Sequence, residues 1–398
     1  MKDSRLAARI GGIALSGTMK TAIEADRLKR SGADVVDLGA GEPDFSTPAH
    51  IIAAAEAALH AGFTKYTPNP GILELREAIC LRYRLDHGVE YQPDEIIVTA
   101  GGKQALFHAA MALFGPGDEV ITHAPGWPTI AAQVTLAGAT PVCVNTPTAV
   151  ASTLEPSALL DAMSPRTRGI VIISPGNPTG ALLADADAVR LAAEAARRGI
   201  WVVLDLCYDR LIYDGTPHSL VRIFSEAMRD RLVLCGSASK TYAMTGWRCG
   251  WMAAPADVVR AVNALQSHQT SNVNSIAQKA TVAALTGPQD CVARMRTEYQ
   301  QRRDALMGWL SEEPRLRVAR PAGAFYLFPD VGALLSAQGC RSSAEFAERL
   351  LQQEHVVVTP GEAFAARGHV RLSYATSLDR LHEGATRLVR FARSLSRA

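Results

Sequence analysis

The sequence predicts an α/β protein: a large domain with a mostly parallel seven-stranded sheet sandwiched by helices, plus a smaller α+β domain. Two observations point there. Short apolar, β-branched segments alternate with helical patterns through the middle of the 398-residue chain, the rhythm of a parallel sheet covered on both faces. After about residue 287 that rhythm gives way to one long charged helix, a few short strands and a closing helix.

Taken in order, residues 1–28 ("MKDSRLAARIGGIALSGTMKTAIEADRL") read as a helix-forming arm. Asp3 and Glu24 fit a signal peptide poorly, and no cleavage site follows. Strands are expected at Ile96 to Thr99, Glu119 to His123, Pro141 to Asn145, Gly169 to Ile173, Trp201 to Asp205, Leu232 to Cys235 and Gly250 to Ala254, each a short apolar run. Helices such as "KQALFHAAMALF" and "ADAVRLAAEAARRG" lie between most of them. The long helix "CVARMRTEYQQRRDALMGWLSEE" leads into strands around Phe325 to Phe328, Val356 to Val358 and Val370 to Ser373. The helix "DRLHEGATRLVRFARSL" ends the chain. The expected domains are 1–48 (an N-terminal arm and part of the small domain), 49–287 (large) and 288–398 (small).

Composition excludes several classes. A net charge of +2, with no long run of lysines or arginines, leaves no electrostatic footprint for nucleic acid. The longest apolar stretches, "RGIVIISPG" and "GIWVVLDL", are too short to span a bilayer. Seven cysteines form neither a CxxC pair nor a Cys/His metal spacing. Most sit within apolar runs, which points to core packing in a reducing compartment, no metal, and a cytoplasmic location.

Ligands in an open parallel sheet bind beyond the carboxyl ends of the strands. After the first strand, Gly101, Gly102 and Lys103 open a helix whose free N–H groups suit a phosphate. The second strand delivers Trp127, the fourth Asn177, the fifth Asp205 and Tyr208, and the sixth Ser237, Ser239, Lys240 and Arg248. Each has a bland reading alone: a tight turn for the glycines, an αL asparagine in "NPTG", a helix cap for Asp205, core for Trp127, a solvated loop around the lysine. Together they match one ligand, pyridoxal phosphate. Its aldehyde needs an amine for a Schiff base, its phosphate needs donors and positive charge, its ring nitrogen needs a buried carboxylate, and its flat ring needs an aromatic face.

The motifs "LGAGEPDFSTP", "KYTPNPGILELREAI", "GGKQALF", "PGNPTG", "SASKTYAMTGWRCGW", "GAFY" and "HVRLSYATS" run through nearly the whole chain. With them the sequence resembles a fold-type I, class I aminotransferase, similar to the prokaryotic aspartate aminotransferase subgroup. The resemblance implies that Lys240 bonds the cofactor aldehyde and then shuttles a proton, and that Asp205 pairs with the ring nitrogen. Tyr208 and Asn177 would hydrogen-bond the ring oxygen, and Trp127 would stack on the ring. Gly101, Gly102, Lys103, Ser237, Ser239 and Arg248 would hold the phosphate. It further implies that Tyr66 reaches the phosphate of a neighbouring subunit, hence a homodimer with shared active sites. Arg371 would grip the substrate α-carboxylate with Asn177 and the Gly41 backbone assisting. In the similar subgroup the Lys103 side chain, with a Ser/Thr near Ser16 or Thr18, binds a distal carboxylate. That favours aspartate, glutamate or prephenate; aromatic amino acids are the alternative, and the lysine could equally pack or solvate.

The chain departs from the family pattern at Leu206 and Cys207 ("DLCY" for "DEIY"), Gly126 ("PGW" for "PYW") and Ile130, changes expected beside the cofactor. The implied reaction is ping-pong transamination between an L-amino acid and a 2-oxo acid in amino-acid metabolism. A β-lyase or a specialised biosynthetic enzyme of the same fold is the alternative, separated by pyruvate and ammonia release. A transcriptional regulator on this fold carries a DNA-binding segment ahead of the domain, whereas here the domain is expected from near residue 1. A dehydrogenase is disfavoured because "AGGKQA" lacks GxGxxG spacing.

Overall fold

The computed structural model describes residues 11, 17–146, 154, 156–215, 218–337 and 340–395, with backbone alone for 17–22, 24, 336 and 337. Its centre is a seven-stranded sheet: β1 (Ile96–Thr99), β2 (Glu119–Ala124), β3 (Thr140–Asn145), β4 (Thr167–Ile173), β5 (Trp201–Asp205), β6 (Leu232–Ser237) and β7 (Gly250–Ala253). All seven expected strands are present, with edges moved by two residues at most. The spatial order is β1-β7-β6-β5-β4-β2-β3. Four pairings are parallel, while β7 runs antiparallel to both β1 and β6.

That one reversal has a local cause. The chain turns back after the Lys240 segment and re-enters the sheet at Gly250. A Cβ there would lie 2.5 Å from Gly101 C and Gly102 N, so only glycine lets β7 pass beneath the Gly-Gly turn. Strands β1, β5, β6 and β7 are buried along their whole length, as a sheet covered on both faces requires. The helix Asp185–Arg198 shows how each face is covered. Ala188, Leu191, Ala192 and Ala195 form its buried stripe, acids open it, arginines close it, and Gly199 ends it in the αL conformation.

Two apolar clusters fill the faces of this sheet. A separate cluster joins Val36 and Leu38 to Tyr299 and Leu306 of the long helix Asp290–Leu310, to Phe325 and Leu372, and to Leu388 of the closing helix Leu378–Ser394. It also takes in Tyr208, Leu211, Tyr213 and Ala243, so the two cores meet along the carboxyl edge of the sheet. Two small sheets belong to this second region. One pairs Val36–Asp37 in parallel with Val356–Val357; the other is antiparallel, in the order Thr359–Pro360, Val370–Ser373, Tyr326–Leu327. Among the described residues no helix is long and apolar enough to cross a membrane.

Candidate active site

A cavity of ≈ 350 Å³ opens where the strand ends face the second core. Gly41, Gly102, Lys103, Trp127, Asn177, Asp205, Tyr208, Ser237, Ser239, Lys240, Arg248 and Arg371 all line it, so twelve of the fourteen residues expected at the site converge there. Gly101 lies behind the lining: it has φ +80, and a Cβ on it would strike the Arg248 Nη2 at 2.7 Å. Tyr66 is elsewhere, 91% exposed on the surface of this chain. Ser16 and the side chain of Thr18 lie outside the described residues.

One end of the cavity is a cationic cradle. The helix Gly102–Leu113 begins there with its free N–H groups and positive dipole end. Ser237, at the end of β6, caps the short helix Ala238–Thr241 by accepting from Ser239 N at 3.1 Å, and its Oγ lies 2.9 Å from Ser239 Oγ. Arg248 adopts φ +55 and is held by donating to Thr245 O at 2.8 Å. Lys103 sets its Nζ 4.9 Å from the Trp127 ring centroid; burial, then the Arg248 charge, lowers its pKa.

Asp205 ends β5 in the floor of the cavity and is 5% exposed. Its Oδ1 accepts from Cys207 N at 2.9 Å, and among the described residues it has no ion pair. Burial pushes its carboxyl up to about 7, with the Cys207 N–H acting the other way. Lys240 Nζ donates to Gly41 O at 2.7 Å, and burial lowers its pKa, so the amine loses its proton more readily than an exposed lysine.

The second core supplies the opposite wall. Arg371, buried on the strand Val370–Ser373, donates through Nη1 to Asn177 Oδ1 (3.0 Å) and through Nη2 to Gly39 O (2.8 Å). Its Nε is buried with no partner among the described residues. Its Cζ lies 4.3 Å from the Tyr326 ring centroid and 5.0 Å from that of Phe364. Tyr208 and Tyr326 join hydroxyls at 2.8 Å.

Tyr326, Phe364 and Gly39 line the cavity without having been singled out from the sequence. Tyr326 does stand in "GAFY", one of the motifs that carry the resemblance; Phe364 has no such signal. The departures land differently from expectation, for of the four only Cys207 faces the cavity. Burial pushes its thiol up to about 12, so it is protonated and inert. Leu206 packs in the first core and Ile130 in the cluster on the other face of the sheet, positions that call for apolar side chains. Gly126 is fixed by backbone crowding, since a Cβ would lie 2.2 Å from His123 O. No cluster of metal-ligating side chains occurs among the described residues.

The family described as aminotransferase class I and II matches residues 33–388. The aspartate aminotransferase of Geobacillus stearothermophilus is 40% identical over 387 residues, covering 97% of this chain and 98% of that one. The aspartate/prephenate aminotransferase of Thermus thermophilus is 40% identical over 396 residues, covering 99% of each. Among solved structures, the Thermus thermophilus aspartate aminotransferase with maleate superposes with a TM-score of 0.91 at 39% identity, covering 97% of this chain and 99% of that one. The aspartate aminotransferase from Rhizobium meliloti does so with a TM-score of 0.92 at 36% identity, covering 98% of both.

Proposed function

The chain belongs to the class I and II aminotransferases, enzymes that transfer amino groups, and from that premise we propose that it exchanges the α-amino group of an L-amino acid with a 2-oxo acid, using pyridoxal phosphate held in the cavity described above. The observation that carries this reading is the buried Asp205, a carboxyl that lines the same cavity as the cationic cradle and has no ion pair among the described residues. It fits a cofactor that brings a basic ring nitrogen at one end and a phosphate at the other.

The donor set supports each contact. Ser237, Ser239, Arg248 and the N–H groups opening the Gly102 helix suit a dianion, Asp205 the ring nitrogen, Tyr208 and Asn177 the ring oxygen, and Trp127 the ring face. When bound, pyridoxal phosphate supplies an aldehyde that takes up the amino group and a ring that withdraws electrons from the α-carbon. The work left to the protein is orientation and proton transfer. Arg371 binds the α-carboxylate, and its Nε–H, without a partner among the described residues, is one of the donors available for it. Lys240 Nζ, its pKa lowered by burial, is the base that takes the α-proton and gives it back from the same face. A cationic N–H facing Asp205 would favour the charged form that burial opposes.

Aspartate or glutamate is the proposed donor, with aromatic amino acids second. The Lys103 ammonium, which lines the cavity beside Trp127, supports a donor with a distal carboxylate, and relatives carry the names aspartate and aspartate/prephenate aminotransferase. The exposed Tyr66 suits a residue that completes the site of a second copy, so the working unit is proposed to be a homodimer. The division at 48/49 and 287/288 is proposed from the separation of the cores, although Cys291 and Val292 still pack in the first of them, with the cavity between the two larger parts. The test is to incubate the cofactor-loaded protein with each of twenty amino acids and 2-oxoglutarate. Glutamate and the matching 2-oxo acid are expected, most rapidly from aspartate. Pyruvate with free ammonia, or no product from any donor, would overturn the reading.

A further inference from the structure

Tyr326 lies on the short strand Tyr326–Leu327, paired with Val370–Ser373, and is 1% exposed. It touches three groups at once. Its hydroxyl is 2.8 Å from that of Tyr208, and its ring lies against the Arg371 guanidinium at 4.3 Å. Its oxygen is 3.5 Å from the point where a Cβ on Gly41 would sit, and the Gly41 carbonyl accepts from Lys240.

We propose that Tyr326 is a positioning residue for amino transfer: its hydroxyl sets the direction of the Tyr208 proton, and its ring seats the Arg371 guanidinium. This rests on the roles proposed above for Tyr208 and Arg371. A contact between two hydroxyls holds one proton between two oxygens. If Tyr208 donates to Tyr326, it has none to offer the cavity. If Tyr326 donates, the Tyr208 O–H points into the cavity and is polarised by the bond it accepts. An anionic oxygen placed before Tyr208 selects the second arrangement, because both protons then have acceptors. Burial raises the pKa of both phenols, so both protons are present at neutral pH. The groups acting on Tyr208 are Tyr326, Cys207 and Arg371. The thiol stays protonated, which leaves the hydroxyl pair as the element that can reorient.

The ring has a separate task. Arg371 sits between Tyr326 and Phe364, so its charged plane is held against aromatic faces while its nitrogens address Asn177 and Gly39. Tyr326→Phe keeps that face and removes only the hydroxyl; Tyr326→Leu removes both.

The experiment uses the protein loaded with pyridoxal phosphate, its absorbance followed against pH, and succinate titrated as a carboxylate probe without an amino group. In Tyr326→Phe the Tyr208 hydroxyl keeps its proton but loses the bond that polarises it, so its hold on the anionic ring oxygen weakens and the colour change is expected to move up by about a tenth to a third of the shift seen in Tyr208→Phe. Its succinate affinity is expected to stay within about twofold of wild type, whereas Tyr326→Leu binds succinate about tenfold more weakly. A colour change that stays put in Tyr326→Phe but moves in Tyr208→Phe overturns the inference alone. No movement in either variant overturns the role of Tyr208 beneath it. Wild-type succinate affinity in Tyr326→Leu overturns the seating of the guanidinium.

Discussion

Arg371 donates to the side-chain oxygen of Asn177 across the seam between the two cores, Nη1 to Oδ1 at 3.0 Å. The two residues are 194 positions apart, one on a strand of the second core and the other past the end of β4. The bond occupies the Asn177 Oδ1, which leaves the amide nitrogen as the donor that this side chain can offer. On the proposed reading, one pair would address both the substrate carboxylate and the cofactor oxygen.

Removing that arginine tests the pair directly. Arg371→Leu is expected to raise KM for every amino acid by about a hundredfold, the loss of a buried charge-assisted contact, and to leave the Asn177 oxygen without its donor. Arg371→Lys should recover part of this and no more, because an ammonium lacks the planar fork. Steady-state kinetics over several donors checks both. Unchanged KM for all of them would remove Arg371 from the substrate site.

Lys240→Ala is expected to reduce turnover by about 10²–10⁴-fold, the range for loss of a positioned proton carrier, with loss of the covalent anchor added to it. The cradle of Ser237, Ser239 and Arg248 is untouched, so the variant should still retain pyridoxal phosphate through dialysis. Borohydride treatment should leave no label on the peptide that holds residue 240. Wild-type turnover in this variant would dismiss Lys240 from the chemistry.

Much of this site is legible in the sequence because its residues follow strand ends, and strand ends are marked by local signals: a β-branched run, then glycine, proline or a small polar residue. Gly102, Asn177, Asp205 and Ser237 were all reachable in that way. Tyr326 was not, since it meets Tyr208 118 positions away and only the packing of one core against the other brings them together. The same limit explains Ile130. It stands three residues after Trp127, but at the start of the helix Thr129–Leu136 its side chain is buried in the cluster against which Trp127 only partly packs. The two-residue strands Val36–Asp37 and Thr359–Pro360 are too short for any period to show.

Gly126 offers a test of backbone against chemistry. Its amide donates to Phe364 O at 3.2 Å, and a Cβ would collide with His123 O. Gly126→Ala is therefore expected to shift the loop that carries Trp127 and to destabilise the protein by about 1–3 kcal/mol, as forced overpacking does. Thermal unfolding measures it. A variant as stable as wild type would mean that the loop yields without strain.

Tyr66 tests the shared site. Tyr66→Ala and Lys240→Ala each impair every site in their own homodimer, yet a mixed dimer has one site with both residues intact. Random reassortment makes half the dimers mixed, so about a quarter of all sites are restored. Mixing the two variants under conditions that exchange subunits should raise activity well above the mean of the parents. Activity that stays at that mean would place the role of Tyr66 within its own chain or nowhere.

Asp205 makes stability depend on pH in a predictable direction. In the unfolded chain its carboxyl titrates near 4, and in the folded cofactor-free protein burial pushes it up to about 7. A raised pKa means that the folded state binds the proton more tightly, so the contribution is fully present below about pH 4. It is lost as pH rises to about 7, and amounts to something on the order of 4 kcal/mol. Asp205→Asn stays neutral and carries no such dependence. Without cofactor, the stability of Asp205→Asn relative to wild type should therefore increase from pH 5 to pH 8. Pyridoxal phosphate should reverse the ranking, because a cationic ring N–H beside the carboxylate favours the charged form that burial opposes. Denaturant midpoints at the two pH values, with and without cofactor, measure both effects. A wild-type-to-variant difference that is the same at pH 5 and pH 8 without cofactor would show that burial does not hold the Asp205 proton.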